Sequence, residues 1–285
     1  MPSTPDEIHH EIRSRSYDLF GGVLLFNEWC GLRYGRSEPD GARIEMPFSP
    51  RIADAAGAIS PGMMATLADS VGGQVAVARL GWRAQVATIS LQLSLLAPMP
   101  PGVGLIGEGR VVAADAGTVL TDIRMITDDA DTRLVATARL RLIMVRQMEA
   151  PTGATPYPPV TIPATGAFLG PDDFSVAIDG PRAEGRLARR SHYMGNAARA
   201  ALHGGLVAAA LFETLSHLGR QWAPAFRPLD GVVDFLRPAR DAALLVRAEM
   251  GHAGSRIGFA SAVLEQEHPG AGPATVARFT ATLTR

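Results

Sequence analysis

The chain contains little cysteine, few aromatic residues and few charges for its length of 285 residues. Its one cysteine, Cys30, excludes an intrachain disulfide and any metal site built from cysteines. We interpret Cys30 as a small packed side chain. Charged residues make up 19% of the chain, and the formal net charge is −1. Because no basic run breaks this balance, we expect no nucleic-acid partner.

Long apolar runs are also absent from the sequence. No uninterrupted apolar run reaches the ~18 residues of a membrane span, so we expect no membrane partner. The N-terminal stretch MPSTPDEIHHEIRSRS has no apolar core of the signal-peptide type, which predicts a cytoplasmic protein. His192 and His217 have no partner at metal-ligand spacing, so we expect no metal.

The strongest feature of the sequence is an internal repeat at half its length. Residues 60–62 (Ser-Pro-Gly) and residues 203–205 (His-Gly-Gly) each precede an apolar helix-like run, and their offset is 203 − 60 = 143. Three further pairs of landmarks follow in the same order at offsets of 140, 137 and 139: residues 95–98 and 235–238, 116–118 and 253–255, and 138–139 and 277–278. The order and the small drift in offset predict two related domains.

Each half has one strand-like stretch, a Gly/Ala-rich loop, one long helix and then four β-rich runs. The predicted strands are residues 41–48, 86–96, 104–114, 118–127 and 133–145, and then 174–180, 228–236, 243–251, 256–265 and 275–283. One helix followed by a mainly antiparallel sheet is an α+β pattern. Within the β-rich run at residues 104–114, we place the Gly-Glu-Gly at residues 107–109 at a break between strands, and we do not interpret it as a phosphate-binding loop.

The domain boundaries follow from this pattern and from one proline-rich stretch. We predict an N-terminal domain at residues 1–148, including a short N-terminal extension, and a C-terminal domain at residues 166–285. Between them, residues 149–165 include five prolines and little periodicity, which indicates an extended linker.

Each predicted helix carries one acidic residue on a face away from its apolar stripe. Ser60 is a suitable N-cap, and Pro61 suits the first helical position. Asp69 follows Leu67 by two residues, which turns it roughly 200° from the apolar stripe, and its neighbours on that side are glycine and alanine. A lone carboxylate on a stripe of small residues can approach a ligand or another backbone closely.

The acid of the second helix is Glu213, which lies one residue further from its glycine loop than Asp69 does. The offset from Asp69 to Glu213 is 144, against 143 for the loops. Direct counting would select Phe212, but helical phase makes Glu213 the counterpart of Asp69.

Both halves resemble the hotdog thioesterases of the phenylacetate-degradation type. In the first half, from residue 26 to residue 142, a loop, a helix and a strand carry the resemblance: Gly57 with residues 60–62, ATLADSVGG and TISLQLSLLAP. In the second half the corresponding features carry it: Gly195 and Asn196, residues 203–205, and VVDFLRPA. The resemblance implies two hotdog domains in tandem, each a sheet wrapped around one helix, packed as an intramolecular pseudo-dimer.

The resemblance also implies active sites formed across the pair of domains. A backbone N–H after the motif histidine would polarise the thioester carbonyl, and an acid on the partner helix would act as general base or nucleophile. Oriented N–H groups at a helix start stabilise developing negative charge, and a carboxylate can attack a carbonyl or activate water for the attack.

When the site residues of the family are transferred to the matching positions of this sequence, the resemblance implies a first composite site. It consists of Asp69, His203, Gly204, Asn196 and Thr88, with Ser90 as the alternative to the Thr88 hydroxyl. Asn196 would orient the base or the water, although its spacing to His203 is one residue longer than usual. We expect His203 to position the site, or simply to cap the helix, rather than to transfer a proton.

The second composite site would consist of Glu213, Ser60 and Gly62. Its oxyanion donor would have to come from Pro61, which has no N–H. Loss of one oxyanion donor costs on the order of 10²–10³ in rate. We therefore expect one active site and one degenerate site.

The leading hypothesis is an acyl-CoA thioesterase. CoA is part of its substrate, and we expect no cofactor. Apolar residues at the helix interface favour a medium-to-long or aromatic acyl group. The alternative is a non-catalytic acyl-CoA-binding hotdog protein, and a hydratase is disfavoured because no Asp/His pair has suitable spacing. Four arginines could hold CoA phosphates or be surface charges: Arg189, Arg190, Arg199 and Arg237. The family habit of forming dimers of dimers predicts a homodimer of this double chain.

Overall fold

The computed structural model describes residues 4–151, 155–162, 170, 173–222, 226–268 and 272–285. Of the predicted linker at residues 149–165, residues 152–154 and 163–165 lie outside this description. The linker and the two domain boundaries therefore stay predictions.

The described residues form four α-helices, two of which are the long helices expected from the repeat. The bounds are α1 Pro5–Phe20, α2 Leu25–Cys30, α3 Pro61–Arg79 and α4 Gly204–Trp222, with 3₁₀ turns at Pro50–Ile52, Ser191–Tyr193 and Ala197–Arg199. The side chain of Ser60 accepts a hydrogen bond from Met63 N–H, as an N-cap residue does, and Pro61 occupies the first helical position.

Of the fourteen strands in the described part of the chain, twelve form one continuous sheet. In the first half the strands are β1 Arg33–Glu38, β2 Gly41–Met46, β3 Ala84–Leu95, β4 Gly104–Ala114, β5 Thr118–Asp128 and β6 Leu134–Gln147. In the second half they are β7 Phe174–Asp179, β8 Arg182–Leu187, β9 Met194–Asn196, β10 Ala201–Leu202, β11 Arg227–Phe235, β12 Leu244–Ala253, β13 Ile257–His268 and β14 Gly272–Thr284. The short strands β9 and β10 pair separately.

The order of strands in the large sheet reflects the duplication. It runs β1-β2-β4-β5-β6-β3-β11-β14-β13-β12-β8-β7. The second half repeats the order of the first in reverse, and the two halves meet where β3 pairs antiparallel with β11. Because every main strand has its counterpart in the other half, the predicted α+β pseudo-dimer of two tandem hotdog domains is confirmed.

The two long helices cross antiparallel at very close range inside this sheet. Thr66 Oγ1 donates hydrogen bonds to the carbonyl oxygens of Gly62 in its own helix and Gly205 in α4, both at 3.1 Å. A Cβ on Gly205 would lie 2.6 Å from Thr66 Cα, and one on Gly62 would lie 3.1 Å from Ala209 Cα. Glycine at these two positions lets the first turn of each helix touch the middle of the other.

Residues 4–30 are more structured than the predicted short extension. Thr4 and Glu7 form a capping box at the start of α1, with Pro5 at the first helical position. His9 Nδ1 accepts a hydrogen bond of 2.9 Å from Tyr34 N–H, which fixes α1 to β1. The Thr-x-x-Glu pattern is a sequence signal for this helix that the sequence analysis missed.

The placement of residues 107–109 between strands was wrong, because all three lie within β4. A Cβ on Gly107 would lie 2.7 Å from Val71 Cγ2, and one on Gly109 would lie 2.6 Å from Val71 Cγ1. The two glycines therefore allow α3 to pack directly on the backbone of the strand.

We predict that Gly107→Leu lowers the free energy of unfolding by about 1–3 kcal/mol, because the added side chain overpacks the contact with Val71. Urea denaturation monitored by circular dichroism measures this change. Gly117→Ala is the control, since a Cβ on Gly117 meets nothing within 4 Å. Equal stability of the two variants would show that Gly107 does not set the distance between helix and sheet.

Candidate active site

The structure brings Asp69 of α3 against the first turn of α4. Asp69 Oδ2 accepts a hydrogen bond of 2.8 Å from Gly205 N–H. Thr88 Oγ1 of β3 donates a hydrogen bond of 2.7 Å to Asp69 Oδ1. Both carboxylate oxygens are thus held in place, and each retains lone pairs for a further partner.

His203 lies directly beside this carboxylate and is buried. Its Nδ1 is 3.3 Å from Asp69 Oδ2 and accepts from Gly205 N–H at 3.0 Å. Burial lowers the pKa of His203, and the negative charge of Asp69 opposes that effect. The ring packs against Phe26 of α2, with 5.3 Å between the ring centroids. A neutral imidazole in this setting can position its neighbours without carrying charge.

Gly204 supplies the first N–H of α4. In the described part of the chain this N–H has no hydrogen-bond partner, as expected for an N–H in the first turn of a helix. A Cβ on Gly204 would lie 2.8 Å from Asp69 Oδ2. The unpaired N–H and the carboxylate are therefore neighbours at a helix N-terminus, which is a favourable place for an oxyanion.

Asn196 and Ser90 lie less close to the carboxylate. Asn196 Oδ1 accepts from Arg199 N–H at 3.1 Å and caps the adjacent 3₁₀ turn, although the residue also lines the cavity described below. Ser90 pairs with Asp234 across the junction of the two halves. Of the two hydroxyls considered, Thr88 is the one bonded to Asp69. Gly205 was missed as the donor to Asp69, although it is the second glycine of the motif.

The second composite site reproduces the first with a weaker contact. Gly62 N–H donates to Glu213 Oε1 at 3.4 Å, as Gly205 N–H does to Asp69. Phe212 instead packs on Phe279 in the core. Burial raises the pKa of Glu213, and a hydrogen bond from Ser60 opposes that effect. Pro61 precedes Gly62 at the start of α3, as Gly204 precedes Gly205 at the start of α4. Because proline has no N–H, the second site has no counterpart of the Gly204 N–H.

The first composite site opens into a cavity of about 330 Å³. Asp69, Thr88, Gly204 and His203 all line it, and no residue of the second composite site does. Its walls come from α1, α2, α3, β3, β6 and the segment that follows β11. The N-terminal helices, which were not predicted, therefore form part of the site.

The four candidate arginines divide into two pairs. Arg189 forms a bidentate ion pair with Asp241, and Arg190 pairs with Asp173. Arg199 and Arg237 instead line the cavity. Arg237 is exposed, so it marks the solvent side of the cavity.

Comparison with known proteins finds a thioesterase family model that matches part of the chain. Residues 192–284 match the family model of the acyl-CoA thioesterase N-terminal domain. A search of curated proteins finds no match. Among the described residues, no helix has the length and hydropathy of a membrane span, and no group of three or more His, Cys, Asp or Glu side chains could hold a metal ion.

Solved thioesterase structures share the fold over most of the chain. A candidate thioesterase from Novosphingobium aromaticivorans is 17% identical, with a TM-score of 0.60 over 88% of this chain and 97% of that one. The tesB protein of Mycobacterium avium subspecies paratuberculosis is 14% identical, with a TM-score of 0.59 over 88% and 95%. An acyl-ACP thioesterase from Bacteroides thetaiotaomicron is 13% identical, with a TM-score of 0.54 over 85% and 97%.

The family match confirms the resemblance to acyl-CoA thioesterases over residues 192–284, which lie in the second half of the chain. The structural matches confirm the tandem hotdog fold. Neither comparison tests which residues act in catalysis.

We predict that Glu213→Gln becomes increasingly stabilising as the pH rises. The folded state holds the Glu213 proton above its ordinary pKa of 4.5, so the wild-type free energy of unfolding falls as the pH rises from that value through the raised pKa. The glutamine variant has no titrating group at this position, so its free energy of unfolding does not fall for this reason. Melting temperatures of both proteins between about pH 4 and pH 8 measure the difference. Parallel pH profiles would show that Glu213 titrates normally.

Proposed function

We propose that this protein hydrolyses acyl-CoA thioesters at the composite site of Asp69 and Gly204. The observation that carries the proposal is the shared cavity, in which a held carboxylate and an unpaired helix N–H lie side by side. A general base or nucleophile and an oxyanion donor are the two groups that thioester hydrolysis requires.

In this proposal the thioester carbonyl oxygen accepts the Gly204 N–H, which stabilises the negative charge that develops on it. Asp69 takes a proton from water while the water oxygen bonds to the carbonyl carbon. The tetrahedral intermediate then expels the CoA thiolate, which is protonated to the thiol. If Asp69 attacks directly, a mixed anhydride forms first and water cleaves it.

The neighbours of Asp69 orient its carboxylate in this scheme. Thr88 holds one oxygen and Gly205 N–H holds the other. His203 fills the space beside them and shares the Gly205 N–H, which supports a positioning role. Asn196 shapes the cavity wall through the turn that it caps.

The CoA moiety would enter from the side of the two free arginines. Arg199 and Arg237 line the cavity and form no ion pair with the described carboxylates, so they are available to the phosphates of CoA. No residue of the second composite site lines this cavity, and Pro61 has no N–H, which supports a single active site per chain.

We predict that Asp69→Asn lowers kcat for acyl-CoA hydrolysis by at least about 10²-fold, because the amide cannot accept the proton or attack. Release of free CoA from a panel of acyl-CoAs measures the rate. Glu213→Gln is the matched control in the other half and should stay within about twofold of wild type. Full activity of Asp69→Asn would refute the site, and inactivation by Glu213→Gln would transfer it to the other half. Binding without any hydrolysis in wild type would favour the acyl-CoA-binding alternative.

The role of the Gly204 N–H can be isolated with two substitutions. Gly204→Ala and Gly204→Pro both add a Cβ near Asp69, but only proline removes the N–H. We expect kcat of the proline variant to be on the order of 10²-fold below that of the alanine variant, as for the loss of one oxyanion donor. Equal rates of the two variants would exclude this N–H as the oxyanion donor.

A further inference from the structure

One glycine of α3 is not explained by the packing of the helix. A Cβ on Gly62 would lie 3.1 Å from Ala209 Cα. A Cβ on Gly72 would lie 2.8 Å from Leu140 Cδ2. A Cβ on Gly73, in contrast, would meet no neighbouring atom within 4 Å in the described part of the chain. Because glycine is less favourable than alanine in a helix interior, the open space beside Gly73 requires another explanation.

This space belongs to the cavity of the first composite site. Gly73 lines that cavity, and between Gly62 and Ala78 it is the one residue of α3 that is not buried. The residues of α3 that line the cavity lie on one face of the helix, over three successive turns: Asp69, Ser70, Gly73, Gln74 and Val77. The cavity therefore follows α3 from the proposed base towards the C-terminal end of the helix.

The second half of the chain shows that this helical position can carry a large side chain. The offset of 144 that relates Asp69 to Glu213 makes His217 the counterpart of Gly73. His217 is exposed and does not line the cavity. The duplicated helix thus accepts a side chain here, and glycine occurs in the half where the position borders the cavity. We therefore attribute Gly73 to the cavity and not to the fold.

The length of the path along α3 can be compared with that of an acyl chain. Gly73 follows Asp69 by one helical turn, a rise of about 6 Å, and Val77 follows it by two, a rise of about 12 Å. An extended chain advances about 1.2 Å per bond. A chain that starts beside Asp69 therefore passes Gly73 after about five bonds and reaches Val77 after about ten.

The surface along this path can accept a hydrocarbon. The two polar side chains on the cavity face of α3 already have partners in the protein. Ser70 donates a hydrogen bond of 3.0 Å to the carbonyl oxygen of Thr66, and Gln74 donates one of 2.8 Å to Ser37. Apolar side chains from α1, α3 and β6 line the same cavity: Phe20, Val77 and Leu142.

We propose that the acyl group extends along α3 over Gly73, and that the missing side chain there determines which acyl groups the site accepts. This inference rests on the proposed acyl-CoA hydrolysis and identifies Gly73 as a specificity-determining residue. The space serves acyl groups of roughly five to ten bonds, which pass Gly73 without extending beyond Val77. A side chain at residue 73 would obstruct only those acyl groups that are long enough to reach it.

Acyl-CoAs of graded length test this inference in the variant Gly73→Leu. The acyl groups of acetyl-CoA and butanoyl-CoA end before residue 73, so their kcat/KM should stay within about twofold of wild type. The acyl groups of octanoyl-CoA and decanoyl-CoA pass it, so their kcat/KM should fall by at least about tenfold, the effect that one methylene can have in a hydrophobic pocket. An equal loss at every chain length, or no loss for octanoyl-CoA, would overturn the inference.

His217→Leu is the matched control, because it places the same side chain at the counterpart position of α4. This variant should keep the wild-type dependence on chain length. Gly73→Ala separates specificity from folding. It should raise the melting temperature by about 1–3 °C, because alanine is the better helix former, while it lowers kcat/KM for octanoyl-CoA. A lower melting temperature would assign Gly73 to the packing of the helix and contradict the proposal.

Binding without turnover distinguishes this inference from the proposed function. In an Asp69→Asn background, Gly73→Leu should raise the calorimetric Kd of octanoyl-CoA by about tenfold and leave that of butanoyl-CoA unchanged. If Asp69 is essential but Gly73→Leu does not discriminate by chain length, only this inference fails. If Asp69→Asn hydrolyses every acyl-CoA normally while Gly73→Leu still discriminates by chain length, the proposed catalytic site fails and the path of the acyl group stands.

Discussion

The close crossing of α3 and α4 is the constraint on which the rest of the structure depends. Thr66 bridges the two helices through the Gly205 carbonyl, and Gly205 N–H reaches Asp69 at 2.8 Å. Any side chain on Gly205 would collide with the backbone at Thr66, where its Cβ would lie 2.6 Å from Cα. The first turn of α4 therefore contacts the acid of α3 only because glycine occupies this position. The continuous sheet maintains the crossing, since β3 and β11 pair across the junction and hold both halves in one register.

The same crossing produces two sites, and small changes in sequence make them unequal. At the first site Gly205 N–H binds the carboxylate closely, and the preceding N–H of Gly204 stays unpaired. At the second, the distance from Gly62 N–H to Glu213 is 3.4 Å, and Pro61 replaces the donor. Burial of Glu213 also favours its protonated form, which is a poor base. If the second site is degenerate, as the proposed function has it, a fused pair can tolerate the change, because each half always meets the same partner.

Most of the fold could be predicted because the sequence repeats its own pattern. Alternation located ten of the twelve described strands of the large sheet, and helical phase selected Glu213 over Phe212. The Gly-Glu-Gly at residues 107–109 was misplaced because glycine usually marks a turn, whereas here it allows close packing under Val71. The pairing of Arg189 and Arg190 with acids, and the freedom of Arg199 and Arg237, depend on contacts distant in sequence. No local pattern contains that information.

The N-terminal helices contribute to the cavity at the first composite site. They lie outside the repeat, and in the part of the second half that the structure describes no equivalent helix precedes β7. The proposed catalytic groups come from the duplicated helices, whereas Phe20, Leu24 and Asn27 of the cavity wall come from this added segment. The proposed chemistry and part of the cavity wall are therefore encoded in different parts of the chain. The added segment still contacts the site, because Phe26 of α2 packs on His203.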